Sequence, residues 1–208
     1  MLIPTIFDDF KNCFPKRGIL HIGAHKCEER KLYHSIGIND ENTLWIEAIG
    51  ELVDIIKLNN NSINIIQSVI SDNDDECVNF MITNNIESSS IFNFKTHLIE
   101  HPHVVETQRR LLKTTTLNTL YDKNNIPYDK YDFINLDIQG AELKALKGAS
   151  KILPHINAIY CEVNEKELYE NCALLPELDE FLLSYNFKRV AIHMTDFGWG
   201  DALYIKNN

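Results

Sequence analysis

The chain lacks any Cys-x-x-Cys pair, any long apolar run, any glycine-rich loop and any sizeable basic cluster. Its five cysteines, Cys13, Cys27, Cys77, Cys161 and Cys172, are odd in number and widely spaced. That pattern supports neither a disulfide framework nor a zinc knuckle, and it fits a reducing, cytoplasmic setting. No apolar segment approaches the roughly 18 residues of a membrane span. The first residues, MLIPTIFDDFKNCF, carry acids rather than a basic start and a long apolar stretch, so a soluble, unprocessed chain is expected. Arg109, Arg110 and Lys113 form the only tight basic group, set against a formal charge of -10. Phosphate neutralisation needs a clustered basic surface, which argues against a nucleic-acid partner; the basic group reads as a solvated helix face.

What is present is alternation of short apolar runs and helix-like segments. GILHI (18–22) and TLWIE (43–47) read as strands, each followed by a helical pattern, CEERKLYHSI and ELVDIIKLNN. NIIQSVIS (64–71) reads as a third strand and CVNFMIT (77–83) as an edge strand. Beyond a weakly patterned middle, YDFINLDI and NAIYCEV are strand-like, and GAELKALKGASKIL and PELDEFLLSY helix-like, Pro176 suiting a first turn. FKRVAIHM and DALYIK are joined by TDFGWG, too short for a crossover helix, so they pair antiparallel. The expected architecture is α/β: a mostly parallel, twisted sheet with helices on both faces and an antiparallel C-terminal hairpin. No linker or repeat divides residues 1–208, which read as a single domain, with 84–113 a lid or acceptor-binding insertion over the sheet's carboxyl edge.

Ligands of such sheets sit beyond the carboxyl ends of the strands. Those ends carry residues 23–26, Glu47 and Ala48, Ser71 and Asp72, Asp137 to Gln139, and Glu162 to Asn164. Gly23 permits a sharp turn into a helix start with free N–H groups, but a pyrophosphate is served by about three glycines and only one is here. Glu47 lies 24 residues after Gly23, near the spacing at which an acid accepts hydrogen bonds from a ribose; its alternative is a helix-start carboxylate. Asp72 reads as an adenine contact or as a turn residue of SDNDDE.

ILHIGAHKCEE, WIEA, SVISD, TNNIESSSI, KTTTLNTL, FINLDIQGAELKALKGA, AIYCEVNEKELY and GWGDALYI together resemble the FkbM family of S-adenosylmethionine-dependent methyltransferases. The resemblance spans nearly the whole chain, and LDIQGAE with the downstream EVN is its most specific part. It implies a Rossmann-like class I methyltransferase fold with seven strands, and a cofactor free of phosphates, which suits a lone glycine. The chain departs from the pattern at His21, where these enzymes commonly place an acid, and at Cys27, where a second glycine is common. The cofactor-binding set so implied is Gly23, Ala24, His25, Lys26, Glu47, Ala48, Ser71, Asp72 and Asp137, with His25 and Lys26 as donors to the cofactor carboxylate and His21 a structural imidazole.

Methyl transfer requires alignment of donor and acceptor and removal of a proton from a weak nucleophile. Asp137, Glu162 and Asn164 are the catalytic candidates at adjoining strand ends; for Asp137 the roles of cofactor-ammonium contact, acceptor orientation and general base stay open beside that of a helix N-cap. No metal is required, although Asp137 and Glu162 are the pair that would share a divalent ion. His97 and His101 have zinc-like spacing, but Pro102 breaks such a helix, and His193 in VAIHMT suits a half-buried strand better than a base. Trp199 and Asp201 read as turn or edge features. The resemblance implies a hydroxyl acceptor on a small molecule or glycan, a sugar first among them, with a protein acceptor open. The competing readings are an NAD-dependent oxidoreductase on a similar fold and a non-catalytic cofactor- or glycan-binding module derived from a methyltransferase.

Overall fold

The computed structural model describes residues 15–207; the acidic start of the chain and Cys13 lie outside them. In chain order the first elements are β1 (Ile19–Ile22), α1 (Arg30–Ser35), β2 (Thr43–Glu47), α2 (Gly50–Asn59), β3 (Ile65–Gln67), β4 (Val69–Ile70), β5 (Cys77–Thr83) and α3 (His97–Glu100). There follow β6 (Glu106–Thr115), α4 (Leu117–Lys123), β7 (Phe133–Leu136), α5 (Glu142–Lys147), β8 (Ala158–Asn164), α6 (Leu175–Ser184), β9 (Phe187–Met194) and β10 (Trp199–Lys206).

Seven strands form one sheet in the order β3-β2-β1-β7-β8-β10-β9, and β4, β6 and β5 form a second. This is the Rossmann-like methyltransferase architecture expected from the sequence. The strands from β3 to β8 are parallel, and β10 runs antiparallel to both neighbours. The antiparallel strand is therefore second from the edge, and β9 takes the edge itself.

Alternation along each strand sends side chains to two cores. Leu20, Ile22, Leu44, Ile46, Ile134 and Leu136 pack beneath α4, α5 and α6. Ile19, Trp45, Phe133 and Tyr160 pack with Tyr33 of α1 and Val53 and Ile56 of α2 on the other side. The helix ends carry local signals. Thr116 accepts the Thr119 N–H at 3.1 Å before α4, and Glu177 accepts the Leu174 N–H at 2.8 Å before α6.

Three expectations are revised. NIIQSVIS is two strands, because the chain breaks at Ser68, leaves the main sheet and pairs Val69 and Ile70 with Thr114 and Thr115. Arg109, Arg110 and Lys113 stand on strand β6, which pairs antiparallel with β5 from Glu106 to Lys113, so no helix face exists there. The unpatterned middle is correspondingly shorter. Among the described residues no helix is long and apolar enough to cross a membrane.

Candidate active site

Sheet register brings distant residues into rows on the α1/α2 face. Trp45, His21, Asn135 and Tyr160 are successive partners across β2, β1, β7 and β8. Two residues nearer the carboxyl edge, the next row is Glu47, Gly23, Asp137, Glu162, Asp201 and His193, with Asp201 directly opposite both Glu162 and His193.

The inner row is a closed polar and aromatic box. Asn135 Nδ2 donates to Tyr33 Oη at 2.7 Å, and Tyr33 in turn lies 2.9 Å from His21 Nδ1. Tyr33 thus donates to Nδ1, which puts the imidazole proton on Nε2. Burial lowers the His21 pKa to about 3, so the ring is neutral and the expected structural role fits its surroundings.

The outer row opens into a cavity of about 530 Å³, within the size range of small-ligand sites. Gly23 starts the turn that forms one wall. Its φ is +91°, and a Cβ there would stand 1.7 Å from the Asp137 carbonyl oxygen. A single glycine suffices because the chain accepts strain elsewhere: His25 (φ 43°) and Cys27 (φ 60°) are also left-handed. Burial, followed by the charges of Glu28 and Glu29, pushes the Cys27 thiol up to about 12, which leaves it unreactive.

Glu47 is buried at the cavity wall. Its Oε2 accepts the His25 N–H at 2.8 Å and its Oε1 the Ile49 N–H at 2.9 Å. The carboxylate therefore ties the glycine turn to the start of α2, and burial raises its pKa. Asp137 and Glu162 hydrogen-bond each other and share a neighbour not assigned a role from sequence. Gln139 Nε2 donates to Asp137 Oδ1 at 2.8 Å and to Glu162 Oε2 at 2.6 Å. Tyr169 Oη donates to Gln139 Oε1 at 2.6 Å, which fixes the orientation of that amide. Gln139 itself is left-handed (φ 56°), and its carbonyl accepts from Ser90 Oγ of the insertion at 2.7 Å. Burial, then the charges of Asp137 and Glu142, push Glu162 well above the usual carboxylate range. Among the described residues, the one group of three His, Cys, Asp or Glu side chains with ligand atoms within 4.8 Å of one another is His25, Glu28 and Glu87, at the rim.

Several sequence-predicted site residues lie elsewhere. Gly23, Ala24, His25, Glu47, Ala48, Asp137 and Glu162 line the cavity; Lys26, Ser71, Asp72 and Asn164 do not. Lys26 points to solvent, its N–H bonded to Glu28. The break at Ser68 moves the end of the third strand forward, so Ser68, Val69 and Ile70 reach the wall. Asp72 is instead paired with Lys144 Nζ at 2.9 Å. Asn164 shares the Glu162 face but is buried beyond the cavity, and its amide has no hydrogen-bond partner among the described residues. His193 is exposed on β9 rather than half-buried. Trp199 and Asp201, expected as turn features, line the cavity, as do His97, His101 and His103 at its outer end. His97 stacks on Phe94 at 4.1 Å, and its helix α3 stops at Glu100, before Pro102.

The model of the methyltransferase FkbM domain family matches residues 9–189. The chain belongs to the FkbM methyltransferase family. Among solved structures, it is similar to the methyltransferase domain of bacterial-CtHen1-CN at 10% identity, covering 98% of this chain and 96% of that one, with a TM-score of 0.49. It is also similar to the magnesium protoporphyrin IX methyltransferase of Synechocystis PCC 6803 with bound SAM, at 9% identity over 99% and 76% of the two chains, TM-score 0.47. A third is the Burkholderia thailandensis 1,6-didemethyltoxoflavin-N1-methyltransferase with S-adenosylhomocysteine, at 8% identity over 98% and 76%, TM-score 0.47. A comparison with curated proteins gave no match.

FkbM membership makes S-adenosylmethionine the methyl donor, and the site suits it. Gly23, required by the close approach of the Asp137 carbonyl, and the buried Glu47, each of whose oxygens keeps a second lone pair, stand together at the cavity wall. When bound, the cofactor supplies a methyl group on a positively charged sulfur. Acidic walls at Glu47, Asp137 and Asp201 complement that charge.

Proposed function

We propose that this FkbM domain is an O-methyltransferase whose acceptor is a neutral, polyhydroxylated molecule, a sugar or glycan unit, and that Asp137 takes the hydroxyl proton. One observation carries the reading: at the cavity floor Asp137, Glu162 and Asp201 converge while no Lys or Arg among the described residues lines the wall. A hydroxyl is a weak nucleophile and needs an adjacent proton acceptor, whereas a thiolate or amine needs less. Gln139 holds Asp137 and Glu162 at fixed separation and donates to both. Glu162, raised by burial, keeps its proton more firmly than an ordinary carboxyl, and its hydrogen bond to Asp137 positions that carboxylate. Asp137 is left to receive the O–H.

In this reading Gly23, Ala24, His25, Glu47 and Ala48 hold the cofactor, and the segment 85–91, tied to the floor through Ser90 and Gln139, forms the acceptor's opposite wall. Trp199 and the imidazoles of His97 and His101 supply flat faces against which a sugar ring packs. The reading invokes no metal.

The deciding experiment incubates purified protein and methyl-labelled S-adenosylmethionine with neutral sugars and polyols, amino sugars, and their phosphorylated counterparts. Label appearing as a base-stable ether on neutral acceptors supports the proposal. Label confined to nitrogen or to phosphorylated acceptors refutes it. Cofactor binding without transfer to any acceptor would favour the non-catalytic alternative.

A further inference from the structure

Most carboxylates around the cavity already have partners. Glu47 accepts two main-chain N–H groups, Asp137 and Glu162 share Gln139, Glu28 and Glu87 meet His25, and Asp201 meets the Tyr160 hydroxyl. Glu29 differs. It lines the cavity, its side chain is 10% exposed, and the one basic atom among the described residues that approaches it within 4.0 Å, His21 Nδ1, is 3.9 Å away. That imidazole is neutral and its Nδ1 already accepts from Tyr33. Apart from its own main-chain N–H, no group among the described residues hydrogen-bonds the Glu29 carboxylate. Burial first, and the charges of Glu28 and Asp137 after it, push its pKa up to about 7. A buried carboxylate with so little support gains from any cation entering beside it.

The position indicates which cation. Glu29 immediately precedes α1, at the end of the turn that begins at Gly23, and lines the same cavity as Glu47 and Asp137, to which the proposed function gives the cofactor and the acceptor hydroxyl respectively. S-adenosylmethionine carries two positive centres, and of these only the α-ammonium has N–H groups to donate. We propose that Glu29 binds the α-ammonium of the cofactor's amino-acid end, supplying from the helix start the charge that the neutral His21 does not provide from the strand. This rests on S-adenosylmethionine being the cofactor.

The test is a calorimetric cycle with two ligands, S-adenosylhomocysteine and its deaminated analogue, on wild type and Glu29→Gln, with thermal melts confirming that both proteins are folded. Wild type is expected to prefer the amino compound by about tenfold or more, and Glu29→Gln to lose that preference while binding the analogue as wild type does. Glu29→Asp, which keeps the charge on a shorter arm, serves if the glutamine variant fails to fold, and is expected to retain part of the preference. An unchanged preference in the variant, or an equal loss for both ligands, overturns the proposal, the latter by assigning Glu29 to the shape of the turn. Wild type that binds neither ligand overturns the cofactor assignment itself, and the Glu29 role with it.

Discussion

Glu47 and Asp137 both end strands, yet their partners give them different work. Each Glu47 oxygen accepts one main-chain N–H, and a hydrogen bond to a charged group contributes about 1.5–3 kcal/mol. Glu47→Ala is therefore expected to weaken cofactor affinity at least about tenfold and to lower the melting temperature, because the His25 and Ile49 N–H groups lose their acceptor. Calorimetry with S-adenosylhomocysteine measures the first effect and a melt the second; wild-type affinity would remove Glu47 from the cofactor site. Asp137 holds no main-chain group with its carboxylate and bonds the Gln139 amide and Glu162 instead. Asp137→Asn should keep the fold and lower kcat about 10²–10⁴-fold at saturating cofactor. Turnover near wild type would dismiss it as the proton acceptor.

At the scale of elements, the loop between β7 and α5 is held by a buried carboxylate. Glu142 Oε1 accepts from the Ile138 and Gly140 N–H groups at 2.9 and 3.2 Å, setting the left-handed pair Gln139 and Gly140. Burial, reinforced by the Asp137 charge, raises Glu142 to about 7. An unfolded glutamate titrates near 4.3, so between these values the folded state binds more protons. This contribution to stability is complete below the unfolded value and is lost as pH rises through about 7. Glu142→Gln removes the titration, so its melting temperature relative to wild type should climb from pH 5.5 to pH 8. His21 and His97, lowered by burial to about 3 and about 4, act with the opposite sign below about pH 6.5, but equally in both proteins. Parallel melting curves across that range would count against the assignment.

Elements with a strong period were legible from sequence: TLWIE, CVNFMIT and FKRVAIHM are strands with the expected bounds, and α6 covers most of PELDEFLLSY. β6 was not, because ETQRRLLKTT buries almost nothing and owes its shape to pairing with β5. The break at Ser68 was hidden for the opposite reason, since an unbroken apolar run carries no mark of a change of sheet. In the site, strand ends pointed to Glu47, Asp137 and Glu162. Gln139 was named only as a strand-end residue, Asp201 only as a turn or edge feature and Glu29 not at all, because register and loop geometry alone bring them together; a half-buried glutamine between two acids has no sequence signature.

For the whole molecule, charge bears on selectivity. The formal charge is -10, and a cavity walled by carboxylates without Lys or Arg among the described residues focuses that field. A phosphorylated acceptor should show a KM at least about tenfold above its neutral counterpart at low ionic strength, the gap narrowing as salt is added. Equal KM values would argue against electrostatic discrimination. Exhaustive EDTA should leave turnover unchanged, and lost activity restored by a divalent ion would reverse the metal-free assignment.

The doorway between the two sheets has a further consequence. The chain leaves the main sheet at Val69 and Ile70 and comes back at Thr114 and Thr115, and these two stretches lie side by side as paired strands. The excursion between them hangs on adjacent stumps, so it can lengthen, shorten or be exchanged with little disturbance to the strands that carry Gly23, Glu47 and Asp137. A lineage built on this frame can change what it modifies by recasting one detour, while keeping its means of modification intact.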